Sequence, residues 1–227
     1  MSKRIILSLF VASLLPLAAR PAAAVSLQPF GSVDYYLHDG IEDDINKANN
    51  DAVNSVPAGQ ANGEVTTTNG VGGRLGLRVP FAQRRVDIGA SYSYIKGPSI
   101  DSKLETPLGT QNNNTDTFFS RIMGEVGVNF PITPAVKFRL SGAAGMGHAR
   151  VENHVDGSGA FAGTNQDATK ESSGFTWEVS PAFVFGGPLV NVELGLRYAQ
   201  FSPVDKTNDT PRIEWKPLGV YVGVAFF

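Results

Sequence analysis

Apolar and polar residues alternate with a period of two through most of the chain beyond residue 25. This period is typical of β-strands, because successive side chains of a strand point to opposite faces, whereas a helical face repeats every three or four residues. Eight segments show it and are predicted as strands: Gly31–His38, Val71–Val79, Val86–Tyr94, Arg121–Phe130, Val136–Gly147, Phe175–Phe183, Val190–Tyr198 and Arg212–Phe227. The pattern predicts an all-β fold.

In each segment one of the two sets of alternating positions, which we call its parities, is polar. This polar parity is rich in glycine, serine and single charged residues. In Val190–Tyr198, apolar residues alternate with Asn191, Glu193, Gly195 and Arg197. A soluble antiparallel sandwich also alternates, with its apolar face turned inward and its polar face turned to water. Small residues between a few long charged ones suit the narrow interior of a small barrel instead.

The segments between the predicted strands are short and long in turn. Three are short turns, at Pro80–Arg85, Pro131–Ala135 and Gly186–Pro188. Four are long and polar, at Asp39–Thr68, Gly97–Asp116, Arg150–Ser172 and Ser202–Pro211. Short turns at one end and long loops at the other are typical of an outer-membrane barrel. We therefore predict an eight-stranded antiparallel up-and-down transmembrane barrel.

Aromatic residues cluster near the ends of the predicted strands. The short-turn ends carry Phe30, Phe81, Phe130, Phe185, Phe226 and Phe227. The long-loop ends carry Tyr35, Tyr36, Tyr92, Tyr94, Phe118, Phe119, Phe175, Trp177, Tyr198, Phe201 and Trp215. We interpret the two groups as the aromatic belts that mark the two membrane interfaces of a barrel.

The first 24 residues differ from the rest of the chain. Lys3 and Arg4 precede the nearly uninterrupted apolar run Ile5–Ala19, and small residues follow up to Ala24. The run is shorter than the ~20 residues of a transmembrane helix, and it lacks the polar face of an amphipathic anchor helix. We predict a signal peptide over residues 1–24, cleaved near Ala24, and a barrel domain over residues 25–227.

The mature chain resembles the small eight-stranded outer-membrane barrels of the OmpA and opacity-protein kind over essentially its whole length. The resemblance rests on glycine-rich inner faces such as Gly70–Arg78, and on a last strand, Leu218–Phe227, that ends on an aromatic residue. It implies that Phe227 is part of the signal that the barrel-assembly machinery reads. The parity of Phe227 carries Gly219, Tyr221, Gly223 and Ala225, where the family usually has hydrophobic residues, and Pro217 is a candidate bulge. The facing of the last strand therefore stays open.

The composition narrows the function further. Charged residues make up 18% of the chain, the formal net charge is −2, and there is no cysteine. These values do not fit a disordered protein, a disulfide scaffold, a zinc ribbon or a nucleic-acid-binding domain.

The polar parity places acidic and basic residues inside the predicted barrel. Charges in so narrow a space are expected to pair across strands, since a buried unpaired charge is costly. The predicted lumen charge network is Asp34, Arg74, Arg78, Asp87, Arg121, Glu125, Lys137, Arg139, Glu178, Glu193 and Arg197. We interpret the network as a polar plug; a gated narrow pore is the alternative.

No catalytic, metal or cofactor site is predicted. His38, His148 and His154 lie near strand ends or in a loop, and His148 is followed by Ala149–Arg150, not by the His-x-Ser pair of the eight-stranded lipid A deacylases. The acidic run Glu42–Asp44 lacks the spacing of a calcium loop. Gly157–Gly163 lacks the context of a phosphate loop and is predicted to be a flexible exposed loop.

We conclude from the sequence that the chain is a non-catalytic outer-membrane barrel with a structural role in the envelope and surface contacts through four long loops. The expected partners are outer-membrane lipids, the assembly machinery and an unknown surface ligand, without nucleic acid. A narrow channel for small solutes is the alternative, and a lipid-modifying enzyme comes third.

Overall fold

The computed structural model describes residues 27–37, 62–81, 84–163, 165–187, 189–201 and 215–226. Ten strands account for most of them: β1 (Gln28–Tyr36), β2 (Asn62–Thr67), β3 (Gly70–Phe81), β4 (Val86–Lys96), β5 (Ile100–Thr106), β6 (Gly109–Thr133), β7 (Val136–Gly157), β8 (Gln166–Gly186), β9 (Val190–Gln200) and β10 (Leu218–Phe226). A short 3-10 helix lies at Gly159–Phe161. No helix in these ranges has the length and apolar character needed to cross a bilayer.

Eight of the strands form a closed antiparallel ring. The order is β1, β3, β4, β6, β7, β8, β9 and β10, and β10 pairs with β1 to close it. Each strand of the ring therefore pairs with its neighbours along the chain, and the predicted eight-stranded up-and-down barrel is confirmed. A path that steps from each residue to its paired residue on the next strand returns to β1 about ten residues from its starting point. This stagger means that the strands are strongly tilted relative to the barrel axis.

Three strands are much longer than the sequence pattern predicts. β6 has 25 residues, β7 has 22 and β8 has 21, whereas about ten suffice for a tilted membrane-spanning strand. The outer parts of β6, β7 and β8 continue past the ring, and β5 and β2 add to their edge in the order β2-β5-β6-β7-β8. We call this five-stranded part the protruding sheet.

The protruding sheet corrects three loop predictions. Asp39–Thr68 contains β2, Gly97–Asp116 contains β5 and the start of β6, and Arg150–Ser172 contains the ends of β7 and β8. The predicted flexible loop at Gly157–Gly163 includes the 3-10 helix and is bound to the β5–β6 turn, because the amide of Ala160 donates to the Leu108 carbonyl at 2.8 Å. Backbone hydrogen bonds between strands therefore hold these polar residues in a sheet, although their polarity predicted loops.

The last strand faces in one defined direction. Tyr221 and Ala225 are 4% and 2% exposed, while Val220 and Val222 on the other parity are 51% and 54% exposed. The pairings of β10 with β9 and β1 run without a register shift. The small-residue parity therefore faces the interior, and Pro217, which is fully buried just before β10, causes no bulge in the strand.

Candidate functional site

The interior of the barrel holds a layer of buried charged side chains. Ten of the predicted network residues are at most 5% exposed, the acids Asp34, Asp87, Glu125, Glu178 and Glu193 and the arginines Arg74, Arg78, Arg121, Arg139 and Arg197. All come from the inward parity of their strands. Lys137, also predicted for this network, is only half-buried and lies towards the short-turn end.

Glu178 on β8 is one of two centres of this layer. Its Oε2 lies 3.0 Å from Nη2 of Arg121, and its Oε1 lies 3.5 Å from Nε of Arg197. Arg74 also pairs with its Oε1. One carboxylate thus neutralises guanidinium groups from three strands on different sides of the barrel.

Glu125 on β6 is the second centre. Its Oε2 lies 2.7 Å from Nη2 of Arg74, and its Oε1 lies 2.6 Å from Nη2 of Arg139 and 3.2 Å from Nε of Arg78. Since Arg74 contacts both Glu125 and Glu178, it joins the two centres.

Three further acids complete the layer. Asp34 pairs with Arg197, Glu193 pairs with Arg78, and Oδ1 of Asp87 lies 2.6 Å from Nη2 of Arg139. Every acid and arginine of the layer is thereby connected to the others through ion pairs, and five negative charges balance five positive ones. We call these ten residues the charge network.

Inward-facing glycines make room for these long side chains. Gly127 faces the pair formed by Asp87 and Arg139, and a Cβ at this position would lie 2.6 Å from Oδ1 of Asp87. At Gly124, on the opposite parity of the same strand, the nearest atom to such a Cβ is 4.0 Å away. A larger residue at position 127 would therefore displace this ion pair.

A second layer, made of aromatic and aliphatic residues, lies between the charge network and the loop end. Tyr36, Ile95, Phe119, Phe201 and Trp215 are at most 3% exposed and belong to one buried cluster. The ring centroids of Phe201 and Trp215 are 4.6 Å apart, and those of Phe119 and Trp215 are 5.1 Å apart, both in stacked arrangements. We call these five residues the aromatic layer.

Arg121 connects the two layers. Its Cζ lies 4.5 Å from the centroid of the Phe201 ring, and its Nη2 donates a 3.5 Å hydrogen bond to the Tyr36 hydroxyl, while the same guanidinium pairs with Glu178. A guanidinium stacked on an aromatic face is stabilised by the ring quadrupole. The apolar layer therefore rests directly on the charged one.

This arrangement corrects part of the predicted aromatic belts. Phe30, Tyr36, Phe119, Phe201 and Trp215 are buried and are not belt residues. Other predicted belt residues are on the outside, with 40% or more of their surface exposed: Tyr35, Tyr92, Tyr94, Phe130, Phe175, Phe185, Tyr198 and Phe226. The alternation within each strand already separates inward from outward aromatic residues. Tyr36 shares the inward parity of Asp34, and Phe119 shares that of Arg121.

The outer surface changes from apolar to charged over a short distance. Tyr92, Ile122, Met146 and Phe175 lie in one register row across β4, β6, β7 and β8, and each is 49% to 69% exposed. A second register row lies four positions further along the same strands, towards the loop end, and consists of Lys96, Phe118, Arg150 and Glu171. An exposed apolar band that ends in such a boundary is typical of a barrel surrounded by lipid.

The histidines that the structure describes lie on the outside, beyond the apolar row. Nδ1 of His148 is 3.0 Å from the Ser173 hydroxyl, and His154 lies between Asp167 and Asp156. The hydrogen bond with Asp167, followed by the charge of Asp156, raises the pKa of His154 above its ordinary value of 6.5. Within the described ranges, no group of three or more histidine and acidic side chains is arranged to hold a metal ion.

Several predicted features lie outside the described residues. They are the signal peptide over residues 1–24, His38, the acidic run 42–44 and Phe227.

Solved structures with a similar arrangement of strands include three bacterial proteins. Neisserial surface protein A is 12% identical with a TM-score of 0.47, and the match covers 88% of this chain and 98% of that one. Ail, the attachment invasion locus protein of Yersinia pestis, is 14% identical with a TM-score of 0.42 over 88% and 98% of the two chains. The outer membrane protein OprG of Pseudomonas aeruginosa is 9% identical with a TM-score of 0.45 over 89% and 95%. No family model matches the chain, and no curated protein does.

Proposed function

We propose that the chain is an exported outer-membrane barrel with a non-catalytic role, in which a closed barrel anchors a protruding sheet for contacts at the cell surface. The observation that carries the proposal is the contrast between the two ends. Towards the loop end, β6, β7 and β8 extend about ten residues past the length that a membrane requires, and β5 and β2 widen them into a sheet. At the other end, β6 and β7 are joined by a turn of two residues.

The interior supports an anchor more than a channel. A solute entering from the loop end meets first the aromatic layer and then the charge network. Moving through the charge network would require separating ion pairs in a water-poor space, where an uncompensated charge costs several kcal/mol. The alternative of a narrow channel therefore has no support from the packing of the described residues.

We also propose how the chain reaches the outer membrane. The signal peptide directs export, cleavage near Ala24 leaves an N-terminus near Val25, and Phe227 takes part in recognition by the assembly machinery. Mass spectrometry of the mature protein is expected to give a chain that begins near Val25. A chain with Met1 intact in the membrane fraction would contradict the export step.

The orientation can be tested with single cysteines, because the chain has none of its own. Asn112→Cys on the protruding sheet is expected to react with a membrane-impermeant maleimide on intact cells. Ala135→Cys, at the exposed two-residue turn, serves as the matched control and is expected to react only after the outer membrane is permeabilised. Labelling with the opposite preference would overturn the proposed orientation.

The surface role requires a separate experiment. Cells that produce a variant with β5 and the outer parts of β6 and β7 shortened are compared with wild-type cells for barrel assembly and for attachment to surfaces. Unchanged assembly with reduced attachment is the expected result. Unchanged attachment would leave only the structural role in the envelope.

A further inference from the structure

A small cavity opens at the short-turn end of the barrel, on the opposite side of the charge network from the aromatic layer. Its volume is about 30 Å³, and its polar lining includes Gln28, Arg78, Asp87, Lys137, Arg139 and Glu193. All of these except Lys137 are at most 6% exposed. The cavity is therefore built from side chains whose positions are fixed by burial and by ion pairs.

Gln28 brings an unsatisfied donor to this cavity. The residue is 6% exposed, and its Nε2 has no hydrogen-bond partner. A buried amide donor without an acceptor loses its hydration without compensation. Something that accepts a hydrogen bond is expected to lie beside it.

Lys137 brings an unbalanced positive charge. The other charged residues of the buried lining are already paired, Arg78 with Glu193 and Arg139 with Asp87. Because the charge network has equal numbers of acids and arginines, it offers no net negative charge to Lys137. No carboxylate of the described residues lies within ion-pair distance of the Lys137 ammonium, which carries three donors and no acceptor.

We propose that this cavity binds a small monovalent anion of halide size, held by the Lys137 ammonium and the Gln28 amide. Both groups donate, and both lack an acceptor, so an anion satisfies the pair better than a cation does. The small volume of the cavity suits a monatomic anion. We call this the turn-end anion site. It rests on the barrel fold alone and is independent of the proposed surface role.

Thermal unfolding of the folded full-length protein in non-ionic detergent tests the site. Sodium chloride replaces sodium gluconate stepwise at constant ionic strength, so that general screening stays the same. The unfolding temperature of the wild type is expected to rise with chloride and to reach a plateau. For Lys137→Met and for Gln28→Leu, the chloride concentration at half effect is expected to rise about tenfold or more, the effect of losing one good polar contact.

Two controls separate binding from general effects. Lys103→Met removes an exposed lysine on the protruding sheet and is expected to keep the wild-type response, and Lys137→Arg is expected to retain most of it. Equal chloride dependence in the wild type and in Lys137→Met would overturn the proposal. If the variants do not fold, crystals of wild-type protein grown in sodium bromide decide, since an anomalous peak between Lys137 and Gln28 is expected and a cavity without one contradicts the site.

Discussion

The two layers that fill the barrel close the same space by different physical means. The aromatic layer consists of apolar side chains that bury surface and stack, and aromatic pairs of this kind contribute about 0.5–1.5 kcal/mol beyond burial. The charge network consists of ions that are unfavourable in isolation and acceptable only as a complete set. Loss of one member of the charge network is therefore expected to reduce stability more than loss of one member of the aromatic layer.

The layers also differ in where their residues originate. Tyr36 ends β1, Phe201 follows β9 and Trp215 precedes β10, so three of the five residues of the aromatic layer lie at strand ends. Glu125 and Glu178 lie well inside their strands. The aromatic layer, nearer the strand ends, thus relies on packing. The charge network, which needs fixed partners, lies where both neighbouring strands are hydrogen-bonded.

The largest expected effect follows from removing a centre of the charge network. Glu125→Ala leaves Arg74, Arg78 and Arg139 short of an acceptor, and we expect a loss of about 3–5 kcal/mol in the free energy of unfolding. Urea unfolding in detergent or lipid measures it. Glu105→Ala, which removes an exposed partner of Lys103, serves as the control and is expected to change stability by less than about 1 kcal/mol. Equal losses in the two variants would show that the network does not need its centre.

Removal of the largest member of the aromatic layer is expected to have a somewhat smaller effect. Trp215→Ala is expected to cost about 3 kcal/mol, because it leaves a cavity among Tyr36, Phe119 and Phe201. Trp215→Phe is expected to cost much less, since the indole Nε1 has no hydrogen-bond partner to lose. The same unfolding experiment checks both, and a larger loss for Trp215→Ala than for Glu125→Ala would reverse the proposed comparison.

A glycine-to-alanine substitution, which adds one methyl group, tests how tightly the charge network is packed. Gly127→Ala pushes a Cβ against Asp87 and Arg139, and we expect a loss of about 1–3 kcal/mol. Gly124→Ala, three residues earlier on the outer face, is the matched control and is expected to be neutral or slightly stabilising. Equal unfolding midpoints for the two variants would contradict tight packing around this ion pair.

The smallest effect concerns exposed charged groups on the protruding sheet. Because Asp167 and Asp156 raise the pKa of His154, the protonated form stabilises the tip of β7 and β8. This contribution is fully present below pH 6.5, the ordinary value, and is lost as the pH rises through the higher pKa of the folded protein. An NMR titration of the His154 ring is expected to give a midpoint above 6.5, and Asp167→Asn is expected to lower it. A midpoint at or below 6.5 would contradict the contact.

The barrel was predictable because its strands have one apolar face and one polar face. The period of two gives the strand number, and the polar parity gives the residues that line the interior. The partners in the charge network were not predictable, because Glu125 meets Arg78 and Arg139 only through the stagger of the strands, which no local pattern contains.

The protruding sheet was missed for another reason. Most residues on both of its faces are polar, so hydropathy does not alternate along residues such as Asn112, Asn113 and Asn114. β-branched residues were the remaining signal, among them Thr115, Thr117, Val151 and Val155. The aromatic layer was missed because proximity to a strand end was given more weight than parity.

Conductance across a planar lipid bilayer tests the central claim, that two successive layers close the barrel. Wild-type protein is expected to show no steady conductance, and Trp215→Ala is expected to remain closed because the charge network still fills the lumen. A variant that combines Trp215→Ala with Glu178→Ala is expected to show more open events than either single variant. Large, steady conductance from the wild type would contradict the closed barrel and support a channel instead.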